Sequence, residues 1–366
     1  MHNKRLLILG SLGVPAESGS FEMLAAELAP HLVQKGWAVT VYCREPWNRT
    51  VPYETMWGRV RRVHIPVKQK GFWGDLMYAL KSALHARNQP ALALTLGNSF
   101  ALFSLFQRLR GKANFFYMGP ISYQGEHIGG LRKLWGIANE RLAGWLGQGF
   151  IVDNPAIQSY LGPRIDADRT ALIPNGALLN KDASQAPLKQ YELEPQKYSL
   201  VVAKATPDYA LLELVTAYSQ IERGQPLVVV ADMDTGDDYA QQVIAAASDE
   251  VVFIEPIYEQ SVIRALYYHA YMYIHVYKNG GTGFALVDAL AAGNAVLAYD
   301  TASTRWVTGS DAAVFFTTVE QCSLHISELL SQPEQVAPMK KAARLRHAEA
   351  FTLEAMFKEY ESFLDV

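Results

Sequence analysis

Leu6-Leu7-Ile8-Leu9-Gly10, a Gly-, Ser- and Pro-rich loop from Ser11 to Ser20, and then Val39-Thr40-Val41-Tyr42-Cys43 form the stretch that decides the fold class. Between the two apolar runs, Phe21, Leu24, Leu28, Leu32 and Val33 recur at helical spacing, and Gly36 ends the pattern. Strand, helix and strand within about 40 residues make a βαβ unit with parallel strands and a right-handed crossover. The pattern then repeats. Strand candidates at 60–65, 91–95, 114–117, 149–152 and 170–173 alternate with helical stretches at 76–87, 101–109 and 131–146. The alternation stops at Pro174-Asn175-Gly176, and the polar stretch up to Tyr198 reads as a linker. A second series follows, with strands at 200–203, 227–231, 251–253, 271–275 and 295–299. Its helices are at 211–221, 239–247, 260–268 and 283–292, with a terminal helical region from Val336.

The sequence therefore predicts an α/β protein of two doubly wound, Rossmann-like domains facing a cleft. The expected boundaries are 1–178 for the first domain, 179–197 for the linker and 198–345 for the second domain. A C-terminal helix over 346–366 is expected to pack back on the first. Ligands bind at the carboxyl ends of strands in such folds for reasons of topology alone.

Composition narrows the function. Of 366 residues, 50% are hydrophobic and 19% charged, which excludes a disordered or fibrous chain. No apolar run is long enough for a membrane-spanning helix, and the short basic N-terminus leads into a buried strand rather than a signal peptide. Cys43 and Cys322 form neither a disulfide framework nor a CxxC pair. The sequon Asn48-Arg49-Thr50 carries little weight without signs of secretion, and a soluble cytoplasmic protein is expected. Residues 1–178 hold 20 Lys and Arg against 11 Asp and Glu, a net +9, while the remainder carries −12. The cationic half suits an anionic ligand, a membrane surface or the anionic half itself. Trp57, Phe72, Trp73 and Met77 lie among Arg59, Arg61, Arg62, Lys68 and Lys70, a pattern that fits either a solvated face or a peripheral membrane contact. No nucleic-acid module is present, so no nucleic-acid partner is expected.

Two loops could carry chemistry. Gly10-Ser11-Leu12-Gly13-Val14-Pro15 lacks the third glycine of a dinucleotide fingerprint, and Val41-Tyr42-Cys43-Arg44 lacks its ribose-binding acid, which argues against NAD. The junction Gly19-Ser20-Phe21-Glu22 offers helix-start amides to an anion, or is simply a tight turn. Asn279-Gly280-Gly281-Thr282-Gly283-Phe284 follows the strand ending at His275 and precedes a helix. Its glycines allow close backbone approach to a ligand, and the helix start directs N–H groups at a phosphate. Asp288, about one turn in, could accept hydrogen bonds from a sugar diol. Together these match the needs of a nucleoside diphosphate, although a plain turn is the alternative.

These segments also carry a resemblance. Gly10 to Pro15, Ser18-Gly19-Ser20-Phe21-Glu22, Glu27-Leu28-Ala29-Pro30, Gly36 and Val39 to Arg44 resemble rhamnosyltransferase-like members of glycosyltransferase family 4. So do Lys133-Leu134-Trp135-Gly136, Ile173-Pro174-Asn175-Gly176, Glu255-Pro256-Ile257-Tyr258, Ala265 to Ala270, Tyr273-Ile274-His275, Gly280-Gly281-Thr282 and Asp288 to Gly293. The resemblance spans residues 5–310 and implies a GT-B fold. It also implies metal-free transfer, with retention, of a hexosyl group such as rhamnose. The donor would be a nucleotide diphosphate sugar and the acceptor a glycan or lipid-linked molecule in polysaccharide assembly. It implies no cofactor and no metal. Lys204 then matches the cation that stabilises the leaving diphosphate, and Asp288 the ribose-binding carboxylate. His127 is a candidate catalytic base or sugar ligand, or else a surface histidine. Gly13, Gly19, Ser20, His275, Gly280, Gly281, Thr282 and Gly283 complete the expected donor site. The chain departs from the family at Leu12, Asp208, Tyr209, Gly283, Phe284 and Asp288. Those departures also suit a partner subunit that keeps the fold without the chemistry, and an epimerase would share the architecture.

Overall fold

The computed structural model describes residues 4–16, 19–45, 49–69, 71–119, 130–279 and 281–365. The chain divides into two compact units, one of Met1–Ile173 with Phe357–Val366, the other of Pro174–Met356.

In chain order the first unit contains β1 (Arg5–Leu9), α1 (Ser20–Gln34), β2 (Ala38–Glu45), β3 (Tyr53–Trp57), β4 (Val60–Pro66), α2 (Gly71–Ala86) and β5 (Leu92–Leu96). It continues with α3 (Leu105–Arg108), β6 (Asn114–Tyr117), α4 (Gly130–Leu146), β7 (Gly149–Val152), α5 (Pro155–Leu161) and β8 (Thr170–Leu172). The sheet order is β3-β4-β2-β1-β5-β6-β7-β8, parallel except for the antiparallel pairing of β3 with β4. Its strand order reverses between β1 and β5. The C-terminal segment belongs to this unit: the His31 ring of α1 stacks on Phe357 at 4.0 Å and pairs with Glu361 at 2.6 Å.

The second unit contains β9 (Ser199–Val202), α6 (Leu211–Ser219), β10 (Leu227–Val230), α7 (Asp238–Ala245), β11 (Val251–Ile254), α8 (Gln260–His269) and β12 (Met272–His275). Then come α9 (Phe284–Ala292), β13 (Ala295–Tyr299), α10 (Ala302–Thr308), β14 (Ala313–Phe316), α11 (Val319–Ser331) and α12 (Pro333–Ala350), and α13 (Leu353–Leu364) runs on into the first unit's C-terminal segment. All six strands are parallel, in the order β11-β10-β9-β12-β13-β14. Helices cover both faces of the sheet, so the strands are apolar without alternation. Leu200, Val228, Tyr273 and Val296 pack on one face with Leu286 and Leu290 of α9. Val201, Val229, Ile274 and Leu297 pack on the other with Leu214 of α6 and Ile326 of α11.

Two expectations are corrected. Residues 179–197 are not a linker: they lie inside the second unit, where Leu188 and Leu193 are buried in its core among otherwise polar neighbours. The C-terminal region is two helices rather than one over 346–366, with buried Phe351 at the break and Thr352 bridged to Ala177. No helix among the described residues is long and apolar enough to cross a membrane.

Candidate functional site

The second sheet reverses its winding between β9 and β12, since β9 leads through α6 to β10 on one side and β12 through α9 to β13 on the other. Their carboxyl ends lie side by side there, at the position where open α/β sheets bind ligands. Lys204 is exposed, two residues beyond β9. The segment from Val276 to Gly283 follows β12.

The two loops are strapped together. The Ala210 amide donates to the Val276 carbonyl at 2.7 Å, and the Lys278 amide to the Asp208 carbonyl at 3.0 Å. The Asn279 side chain donates to the Asp208 carboxylate at 2.6 Å. Tyr209 and Tyr277 form a β-bridge with ring centroids 4.7 Å apart. Lys278 pairs with Glu213 at 2.6 Å, and the Tyr239 hydroxyl donates to the Tyr209 carbonyl at 2.7 Å. Burial, with the Asp208 charge adding to it, pushes the Tyr209 phenol up to about 12. Position 208 thus carries a carboxylate that is held by the Asn279 side chain.

Gly281 and Gly283 hold φ of +96° and +56°, in the left-handed region that side chains other than glycine resist. The Gly281 amide donates to the Ser303 hydroxyl at 3.2 Å, and Thr282 is fully buried. Gly283 starts α9 with no side-chain cap and no acid in the first turn. The helix's own bonding begins with Leu286 and Val287 donating to the Gly283 carbonyl, so the Phe284 and Ala285 amides stand ahead of it. Such a helix start carries partial positive charge, and no acid in its own first turn offsets it.

His275 closes β12 and is buried. Its ring lies against Gly283, where a Cβ would stand 3.6 Å from the imidazole Cε1. Burial pushes the imidazole down to about 4, so it is neutral at pH 7 and acts as a hydrogen-bonding group, not a cation. Asp288, half-buried on α9, adds its charge to the burial that raises the Tyr267 and Tyr273 phenols. The Tyr273 hydroxyl donates to the Val202 carbonyl at 3.4 Å, at the end of β9.

Lys204, His275, Gly281, Thr282, Gly283 and Asp288 therefore share the carboxyl edge of two neighbouring strands. Gly13, Gly19 and Ser20 belong to the first unit. There Gly13 packs on Cys43, with room for no Cβ, and the Glu22 carboxylate accepts from the Leu12 amide at 2.5 Å. The start of α1 thus carries its own acid in the first turn. His127 and Gly280 lie outside the described residues. Sequence reading did not find Ser303 or Tyr239, and it quoted Asn279 and Asp208 without the bond that straps them together, because each acts through a partner distant along the chain. No three His, Cys, Asp or Glu side chains gather to hold a metal among the described residues.

Residues 185–346 match the family model described as Glycosyl transferases group 1. No curated protein matches the chain. Among solved structures it is similar to sucrose-phosphate synthase from Thermosynechococcus elongatus, with a TM-score of 0.82 and 18% identity over 98% of each chain. It is also similar to Anabaena HepE in complex with UDP-glucose, with a TM-score of 0.78 and 14% identity over 100% of each chain. A third match is an α,α-trehalose-phosphate synthase (UDP-forming) from Burkholderia xenovorans, with a TM-score of 0.76 and 12% identity over 99% of this chain and 100% of that one. The architecture is thus GT-B, two Rossmann-like α/β units along the whole chain, and the stretch similar to the glycosyl transferases group 1 model lies within the second unit.

Proposed function

We propose that the chain transfers a sugar from a nucleoside diphosphate donor held by the second unit. The observation that carries this reading is the pairing, at one strand reversal, of a lysine after β9 with an uncapped, acid-free helix start after β12. A diphosphate needs both a mobile cation and fixed amide donors. Lys204 supplies the first, and the Phe284 and Ala285 amides, set by the glycine turns, supply the second. Asp288 stands about one turn further on, where a carboxylate accepts from the ribose diol without facing the phosphates. The solved HepE relatives hold UDP and UDP-glucose, which makes uridine the first base to test.

In the proposed reaction the bond from the sugar C1 to the diphosphate oxygen breaks as a bond from C1 to an acceptor hydroxyl oxygen forms on the same face. Negative charge collects on the departing diphosphate oxygen as the C1–O bond breaks, and that oxygen takes the proton of the attacking acceptor hydroxyl. Lys204 and the α9 amides stabilise that charge where it develops, so their effect is larger in the transition state than in the ground state. No metal takes part in this proposal. The sugar is a hexose such as rhamnose, and the acceptor is a glycan or lipid-linked chain in polysaccharide assembly. Titration calorimetry with UDP, dTDP and GDP tests the donor claim. Binding of one of them is expected, and binding of none contradicts it.

A further inference from the structure

The first unit carries an apolar patch that the donor site does not use. Trp73 is 68% exposed, Leu134 64%, Leu102 41% and Phe72 38%. The patch is preformed. The Phe72 ring lies 5.7 Å from Trp73, 5.9 Å from Trp135 and 6.1 Å from Phe100, and the Trp135 indole donates to the Ser99 carbonyl at 2.9 Å. Its residues come from the start of α2, from the 3-10 turn Ala101–Ser104 with the segment before it, and from the early part of α4. Those elements follow β4, β5 and β6, so the patch belongs to the carboxyl side of the parallel sheet.

Charge says what covers it. Neither α2 nor α4 has an acid in its first turn, although both are long helices with a positive end there. Lys68, leading into α2, and Lys133, on α4, are exposed. Asp75, a turn into α2, is paired with Arg44 at 2.7 Å. An indole and a leucine standing out amid positive potential match the interface of a bilayer with anionic headgroups, where tryptophan rings settle and each nearby cation adds attraction. The net +9 of residues 1–178 acts in the same direction at longer range.

We propose that this patch docks the first unit on an anionic phospholipid surface. Trp73 and Leu134 enter the interface, while Lys68, Lys133 and the starts of α2 and α4 face the phosphates. The test is co-sedimentation with vesicles of equimolar phosphatidylglycerol and phosphatidylcholine, against phosphatidylcholine alone, with no nucleotide present. It is therefore decided independently of the donor reading. The full chain is expected to sediment with the anionic vesicles and less with the neutral ones. The W73S/L134S variant should lose about tenfold or more of the partitioning, and K133E should lose part of it. L324S, an exposed leucine on α11 in the other unit, should lose none. W73F should retain binding, and unchanged circular dichroism of W73S/L134S shows that it folds. The proposal is overturned if no vesicle binds, if neutral and anionic vesicles bind equally, or if W73S/L134S binds undiminished. A concentration-dependent dimer that W73S/L134S abolishes, without vesicle binding, overturns it in favour of a second copy.

Discussion

Replacing His275 by asparagine removes a buried imidazole that burial holds neutral, and the consequence is a change in how stability depends on pH. The folded-state value lies at about 4 while the unfolded chain titrates near the ordinary value of 6.5. Between those limits the unfolded state binds the proton and the native state does not, so stability falls as the pH falls. The full window of 2.5 units is worth about 3 kcal/mol at 1.36 kcal/mol per unit, and about 2 kcal/mol of it is gone by pH 5. Urea denaturation of wild type and H275N at pH 7.5 and pH 5.0 measures it, with the other titrating groups cancelling in the difference. The wild type is expected to lose about 2 kcal/mol more than the variant over that interval. Equal losses would refute the reasoning, because they would mean that His275 accepts a proton in the native state as readily as in the unfolded one.

Gly10 follows β1 with φ of +89°, and an added Cβ would stand 2.2 Å from the Leu96 carbonyl oxygen. Backbone cannot yield there cheaply, so Gly10→Ala should destabilise the first unit by about 3 kcal/mol in urea unfolding, from left-handed strain plus overpacking. An unchanged midpoint would contradict that packing. Thr301 caps α10 through a capping box with Thr304, and Thr301→Ala should cost about 1 kcal/mol in the second unit. A stability equal to wild type would show that the box carries no weight.

Strands buried on both faces were the legible part of the fold. Leu227–Val230 and Ala295–Tyr299 are uninterrupted apolar runs because helices cover both sides, and their short length marks them as strands. β3 escaped notice because it is an edge strand, half-buried and exposed by turns, with no apolar face to betray it. The supposed linker misled for the opposite reason: its two core leucines are diluted by Lys, Gln and Pro, and only the packed structure shows where Leu188 and Leu193 go. In the candidate site, the glycine turn stood out in the sequence because it lies between a strand and a helix, whereas Lys204 was singled out only through the family resemblance. The strap was not readable, since Asp208 meets Asn279 across 71 residues and Gly281 meets Ser303 across a helix and a strand. Burial likewise decides that His275 is neutral, and no local pattern announces burial of that kind.

The central claim is that Lys204 and the start of α9 together hold a diphosphate. Titration calorimetry of wild type and K204A with the nucleotide that binds tests it most directly. Loss of one charge-assisted contact should weaken binding by about 10- to 100-fold, while uridine without its phosphates should bind both proteins alike. Equal diphosphate affinity in the two proteins would contradict the account.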